Sequence, residues 1–249
     1  MNRIISVVTP VYDGGEAYLR ETYDSVRAER ERLPQGWDLQ WLVQEDGTTG
    51  RPIKTLPSEP WISPGMAERG GAGAARTSAL PRAAGDLVRA LDADDVILPG
   101  GLAREITALE DHPEAGWCVS AGVDLLPDGS TAVGPYDPPE GPLTYESLLS
   151  AYDADAFPVL AQHLTARKSL LLAVGAWPAL PAWETIATVL CCAAVSDGWM
   201  IATPGGVYRK HPGQTTAQAD YSEVAGVEDL RVIVRAQAEA LRATGWRWP

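Results

Sequence analysis

Positive charge, cysteine and phenylalanine are all scarce in this chain, and no hydrophobic run is long. Twenty lysines and arginines stand against 33 acidic residues, a net charge of −13. A surface of that sign repels phosphate backbones and anionic lipid, which argues against nucleic acid and an anionic membrane as the main partner. It does not exclude a small anionic substrate, because a local cation and a few arginines outweigh a distant field. The cysteines, Cys118, Cys191 and Cys192, are three in number with two adjacent. That is no disulfide framework and matches no zinc spacing, and a reducing, cytoplasmic setting fits it. The longest apolar run, Ile186 to Val195, is too short to span a bilayer, so no transmembrane segment is expected. No signal peptide is expected either, since Asn2-Arg3 runs straight into Ile4-Ile5-Ser6-Val7-Val8. One phenylalanine is set against nine tryptophans, whose default place is a core where their indoles bury large areas. Neither nucleotide fingerprint occurs: the run Gly70 to Arg76 lacks GxxxxGK[ST], and no GxGxxG follows a convincing strand.

What is present reads as one large α/β domain over residues 1–249, with 45% apolar residues to build its core. Ile4 to Thr9 is a near-continuous apolar run, as a buried parallel strand requires. Leu19, Tyr23 and Val26 fall at helical spacing, predicting an amphipathic helix from Glu16 to Leu33 that Pro34-Gln35-Gly36 stops. Leu39, Trp41 and Val43 alternate as a second strand, and strand–helix–strand order favours a right-handed crossover. A short strand at Trp61-Ile62, a helix from the glycine run to Ala84 and a strand over Leu87 to Leu91 follow.

The second half is less regular. Helix is expected over Gly101 to Leu109, a strand over Trp117 to Leu125, and a hairpin at Asp128-Gly129 leading to Thr131-Ala132-Val133. The proline-rich stretch Gly134 to Pro142 is expected to be a loop covering the site. Thr144 N-caps a short helix to Ala151. A strand over Gln162 to Ala166 and helices over Lys168 to Val174 and Trp183 to Val195 come next. Short strands at Gly198 to Thr203 and Val207 to Arg209 precede a long helix from Asp220 to Thr244.

The stretch that organises the chain is Leu91-Asp92-Ala93-Asp94-Asp95, where three carboxylates crowd the end of a strand. Their repulsion is costly unless a cation offsets it, and hard divalent cations take oxygen ligands and share them with substrate phosphate. The same residues also suit a solvated acidic turn that caps the next helix.

In order and spacing the chain resembles the family 2 glycosyltransferases, over nearly its whole length. The resemblance rests on Val7-Val8-Thr9-Pro10-Val11-Tyr12, Glu45-Asp46-Gly47-Thr48, Ala75-Arg76 and the spaced Asp92-Ala93-Asp94. It continues through Val174-Gly175-Ala176-Trp177-Pro178 and Tyr208-Arg209-Lys210-His211-Pro212-Gly213-Gln214. It implies a GT-A fold, a Rossmann-like, mostly parallel central sheet flanked by helices with a smaller acceptor-side subregion. Residues 1–98 then form the nucleotide-sugar half, and 99–249 the acceptor-side half with the C-terminal helix. It also implies a nucleotide-diphosphate-sugar donor, a Mn²⁺ or Mg²⁺ ion, and transfer with inversion at the anomeric carbon. The acceptor is then a small molecule, such as a natural-product intermediate, or a lipid-linked or cell-wall group.

By the same resemblance, Thr9, Pro10 and Tyr12 line the nucleobase and ribose pocket, and Asp46 accepts from a pyrimidine N–H, which favours UDP or dTDP. Arg76 lies near the nucleotide, Asp92 and Ala93 near the donor ribose, and Asp94 and His211 hold the metal. Asp95 is a second ligand or a cap. Two departures are mild: Glu45 stands where an aspartate is usual, and Asp13 where asparagine is common. A third matters more. The family's acidic pair after the Gly-Trp segment reads Glu184-Thr185 here, leaving Glu184 as the expected general base. Asp153 and Asp155 are the reserve acids. The lost partner also keeps open a sugar-nucleotide-binding module without turnover, in a regulatory role. A sugar-phosphate nucleotidyltransferase ranks below both, because nothing basic follows the first strand.

Overall fold

The structure, a computed structural model, describes residues 2–134, 137–217, 223 and 228–249. The chain opens with β1 (Arg3–Val11), α1 (Leu19–Arg30), β2 (Trp37–Asp46), β3 (Ile62–Ala67) and α2 (Gly71–Ala79). It continues through β4 (Leu87–Ala90), β5 (Val96–Ile97), α3 (Gly101–Asp111), β6 (Ala115–Leu125), β7 (Thr131–Val133) and β8 (Gly141–Leu143). Next come α4 (Tyr145–Asp153), β9 (Leu164–Arg167), α5 (Lys168–Ala173), α6 (Glu184–Val195), β10 (Asp197–Arg209) and α7 (Glu228–Ala243).

One sheet collects every strand, in the order β3-β2-β1-β4-β9-β6-β10-β5, with β7 on β6 and β8 on β10. β1 to β4 run parallel to one another, as do β6 and β10. β9 joins the two sets antiparallel to both, between β4 and β6. The mainly parallel sheet thus passes unbroken from the first half of the chain into the second.

β1 is buried from Ile5 to Val11 because helices cover both faces of the sheet. Ile5, Val7 and Val11 join one core with Leu19, Tyr23 and Val26 of α1 and Leu102 and Ile106 of α3. Val8 joins the other, with residues of α2 and of α4 to α7. The tryptophans mostly take their default place: Trp41, Trp117 and Trp177 are fully buried.

The structure redraws several of the expected elements. Gly198 to Thr203 and Val207 to Arg209 belong to one strand, β10, whose register against β6 shifts between Ile201 and Gly206. Pro204 has no N–H for a ladder, so the strand bulges there rather than ending. Gly206 must lack a side chain, since a Cβ would come within 2.7 Å of the His163 ring. Pro142 lies in β8, paired to β10, and Asp137 accepts from the Gly122 N–H at 3.0 Å. The proline-rich stretch is therefore tied to the central strands, apart from Pro135 and Tyr136, which lie outside the described residues. The last helix is described from Glu228, and residues 220–222 and 224–227 of its expected span lie outside the described residues. The first helix stops at Arg30, one turn before the proline. Thr144 caps α4 as expected, its Oγ1 accepting from the Ser147 N–H at 3.3 Å.

His163 makes the fold acid-sensitive. It is fully buried, and desolvation followed by the nearby Arg89 charge pushes its pKa down to about 3. The unfolded chain takes up that proton near the ordinary value of about 6.5, the folded chain only near 3. Stability from this group is therefore full above about 6.5 and falls as the pH drops towards 3. Between pH 7 and 5 the loss is about 2 kcal/mol from this group alone. In urea titrations at the two pH values, His163→Gln should show a loss smaller by about that amount. Equal losses in both proteins would remove His163 as the cause.

Candidate active site

The C-terminal ends of β1, β2 and β4 open into a cleft of about 690 Å³, a volume suited to a nucleotide-sized ligand. Pro10, Tyr12, Asp46, Arg76, Asp92, Ala93 and Asp94 line it from the first half of the chain. Leu180, Pro181, Glu184, Tyr208 and His211 line it from the second. No described residue of the proline-rich stretch and no described tryptophan lines it.

The acidic turn follows β4 directly and is held from three sides. The Asp95 N–H donates to the Asp92 carbonyl at 3.2 Å, and Thr22 Oγ1 donates to the Ala93 and Asp95 carbonyls at 2.8 and 2.9 Å. Asp95 is neither a cap nor a cleft ligand: its buried Oδ1 accepts from the Arg209 N–H at 3.0 Å. That bond turns Asp95 inward and leaves Asp92 and Asp94 facing the cleft. Arg209 Nε also donates to the Asp94 carbonyl at 2.8 Å, so the end of β10 clamps the turn. Burial, then the charges of Asp92 and Asp94, push the Asp95 carboxyl well above the usual range. Burial, then Asp92, raises Asp94 as well, against the opposing hydrogen bond of His211.

His211 Nε2 lies 2.9 Å from Asp94 Oδ2, and its ring packs on Tyr18 with centroids 4.8 Å apart. Among the described residues no three histidine, cysteine or acidic side chains form a closed metal cage. Two donors at the edge of a cleft, beside desolvated negative charge, fit instead a cation whose other ligands are substrate phosphate oxygens and water.

The remaining expected residues divide. Tyr12 lines the cleft and is 40% exposed. Asp46 lines it too, but its Oδ1 accepts from the Gly70 and Gly71 N–H groups at 2.7 and 3.0 Å, holding the start of α2. Thr9 does not line it. Its side chain is fully buried, and Oγ1 accepts from Trp41 Nε1 at 2.9 Å, because the strand alternation turns it into the core. Glu45 is buried as well, and its two oxygens accept from the Thr49 and Gly50 N–H groups at 2.8 Å. The extra methylene over aspartate lets it hold the loop that follows β2.

Arg76 is 1% exposed, with its guanidinium between two acids. It pairs with Asp92, and its Nη1 donates to Glu184 Oε1 at 3.0 Å. Glu184 begins α6, after Trp183 in the left-handed region at φ +68°. Thr185 does not line the cleft, nor do Asp153 and Asp155, which pair with Arg235 and Arg231 of α7. Sequence reasoning missed Tyr18, Arg69 and Tyr208 as cleft residues. Tyr18 stood inside the expected first helix and carried no further signal, whereas Tyr208 stood in the same short block as His211.

A mainly parallel sheet with an Asp-x-Asp turn at a strand end, facing an acid from the second half of the chain, is a GT-A fold. The sequence profile described as "Glycosyl transferase family 2" matches residues 6–168, and the chain belongs to that family of glycosyltransferases. Among solved structures it is similar to a fragment of Staphylococcus aureus TarS, residues 1–349, in complex with UDP-GlcNAc. That match has a TM-score of 0.70 at 18% identity, and covers 98% of this chain and 71% of that one. The same fragment with UDP matches at 0.66 and 18%, covering 98% and 70%. A longer TarS chain matches at 0.65 and 19%, and there this chain covers only 39% of its relative. No curated protein sequence matches.

Proposed function

We propose that the chain is a metal-dependent, inverting glycosyltransferase that moves a sugar from a UDP- or dTDP-linked donor to an acceptor hydroxyl. The observation that carries this reading is that Asp92 and Asp94 face the same cleft as Glu184, contributed from the other half of the chain. The TarS fragments, with UDP-GlcNAc and with UDP, support a uridine nucleotide. The acceptor is a small molecule, or a lipid-linked or cell-wall group, and residues 1–98 supply most of the donor side.

In this reading Pro10 and Tyr12 flank the base and ribose, and Asp46 uses a lone pair left free by Gly70 and Gly71 to accept from the pyrimidine N–H. Asp92 and Ala93 border the ribose. Asp94 and His211 hold a Mn²⁺ or Mg²⁺ ion, which supplies charge neutralisation for the leaving diphosphate. Glu184 acts as general base through Oε2, its other oxygen being held by Arg76. The acceptor O–H proton passes to Glu184, and the acceptor oxygen bonds to the anomeric carbon. The bond from that carbon to the diphosphate oxygen breaks on the opposite face, its electron pair leaving with the nucleoside diphosphate.

A second reading is a binding module without turnover, favoured by the ion pair that already engages Glu184 and by threonine at position 185. Incubation with UDP-, dTDP- and GDP-sugars and Mn²⁺ separates the two. Release of nucleoside diphosphate supports the transferase, whereas binding without release supports the module. Pyrophosphate-dependent formation of a nucleoside triphosphate would defeat both. Calorimetry should also show UDP bound at least about tenfold more tightly than GDP, since the larger purine does not bring an N–H to the place where a pyrimidine offers one to Asp46, and a hydrogen bond to a charged acceptor is worth about 1.5–3 kcal/mol. Equal affinities would remove Asp46 as a pyrimidine reader.

A further inference from the structure

Arg76 is buried and lines the cleft, and its guanidinium is committed to two acids from opposite halves of the chain. It pairs with Asp92 on the acidic turn and with Glu184 at the start of α6, 108 residues away in sequence. The surrounding structure is built to bring these together. Gly73, Arg76 and Thr77 fall on one face of α2 at helical spacing. A Cβ at Gly73 would come within 2.2 Å of the Pro178 carbonyl oxygen and 3.1 Å of Glu184 Cβ, so only glycine lets the segment before α6, and the first residue of α6, approach this closely. Thr77 Oγ1 donates to the Trp177 carbonyl at 2.7 Å and accepts from its N–H at 3.1 Å, fixing the segment that leads to Glu184. One helix face thus docks the approach to α6 and holds its first side chain.

We infer that Arg76 is a positioning residue that holds Glu184 against the donor side of the cleft through a shared ion pair with Asp92. The inference rests on Glu184 being the general base. Arg76 engages Oε1 and so fixes which carboxylate oxygen is offered to the acceptor. Two carboxylates on one guanidinium carry one excess negative charge before the transfer, which favours uptake of the acceptor proton, and none after it. When Glu184 takes the acceptor proton, Asp92 still neutralises the buried cation, so no lone charge is stranded away from water. Arg76 therefore acts through these two acids and not by reaching the nucleotide itself.

A double-variant cycle on the holoenzyme with Mn²⁺ tests this, using the UDP-sugar most rapidly hydrolysed in the donor panel and reading UDP release. Arg76→Gln should slow release by roughly 10²-fold with UDP affinity, by calorimetry, changed less than about fivefold. In the Glu184→Gln background the same change should cost less than about threefold, because the group it positions is already gone. Arg76→Lys, a point charge without the planar fork, should recover part of the rate only when Glu184 is present. An equal cost of Arg76→Gln in both backgrounds would mean a merely structural role and would overturn the inference. Should Arg76→Gln not fold, Arg76→Lys with and without Glu184→Gln completes the same cycle. If Glu184→Gln alone leaves release unchanged, the base assignment itself fails and the positioning role falls with it.

Discussion

Glu184→Gln is expected to cut sugar transfer by roughly 10²–10⁴-fold while donor affinity stays nearly constant. The amide keeps the size of the side chain and an oxygen to accept from Arg76 Nη1, but it cannot take the acceptor proton. Donor affinity is insulated because Tyr12 and Asp46 stand on other elements, at the ends of β1 and β2. Steady-state kinetics with the true acceptor, beside donor titration calorimetry, checks both halves of the expectation. Hydrolysis of the donor, with water as acceptor, serves as a first assay. Transfer that persists within a fewfold sinks the base assignment. Asp153 and Asp155 do not replace it, since their pairs with α7 keep them outside the cleft. Normal donor binding with no transfer by either protein would instead favour the binding module.

Asp94→Asn should weaken Mn²⁺-dependent donor binding by tenfold or more, about 1.4 kcal/mol upwards. The substitution preserves shape and removes the charge that the proposed cation needs. It also relieves crowding, because burial and Asp92 already press Asp94 towards its neutral form. Donor binding without metal should therefore be unchanged or improved, and only the metal-dependent part should fall. His211→Ala should give a smaller loss in the same titration, with the same restriction to the metal-dependent part. Unchanged affinity and unchanged metal dependence in Asp94→Asn would defeat the cation site. A His211→Ala loss seen equally without metal would point to folding, through the lost packing on Tyr18.

Where physical signals are local, the sequence carried them. The uninterrupted apolar run of β1 demanded a strand covered on both faces, and Thr144 marked a helix start. Asp128-Gly129 marked the turn that pairs β7 with β6. Those signals sufficed for an α/β domain, and the ordered motifs sufficed for the glycosyltransferase resemblance that the family match and the fold then made plain. Local signals also put an acidic turn at the end of β4, since Leu87 to Leu91 and the three aspartates are adjacent.

Which aspartate faces which way was decided only in three dimensions. Asp95 turns inward because Arg209, 114 residues later, offers it a backbone N–H. Thr9 leaves the cleft because Trp41 on the neighbouring strand claims its hydroxyl. Arg76 is a bridge between Asp92 and Glu184, and not an exposed helix charge, because Gly73 lets α6 approach α2. The period of a strand or helix is set by neighbouring residues and is legible in their order. A partner more than a hundred residues away is set by packing and crossover, which a single sequence does not display. The sequence by itself determined most of the elements and the stretch that meets the cleft, and the tertiary structure decided how the later strands join and which side chains meet there.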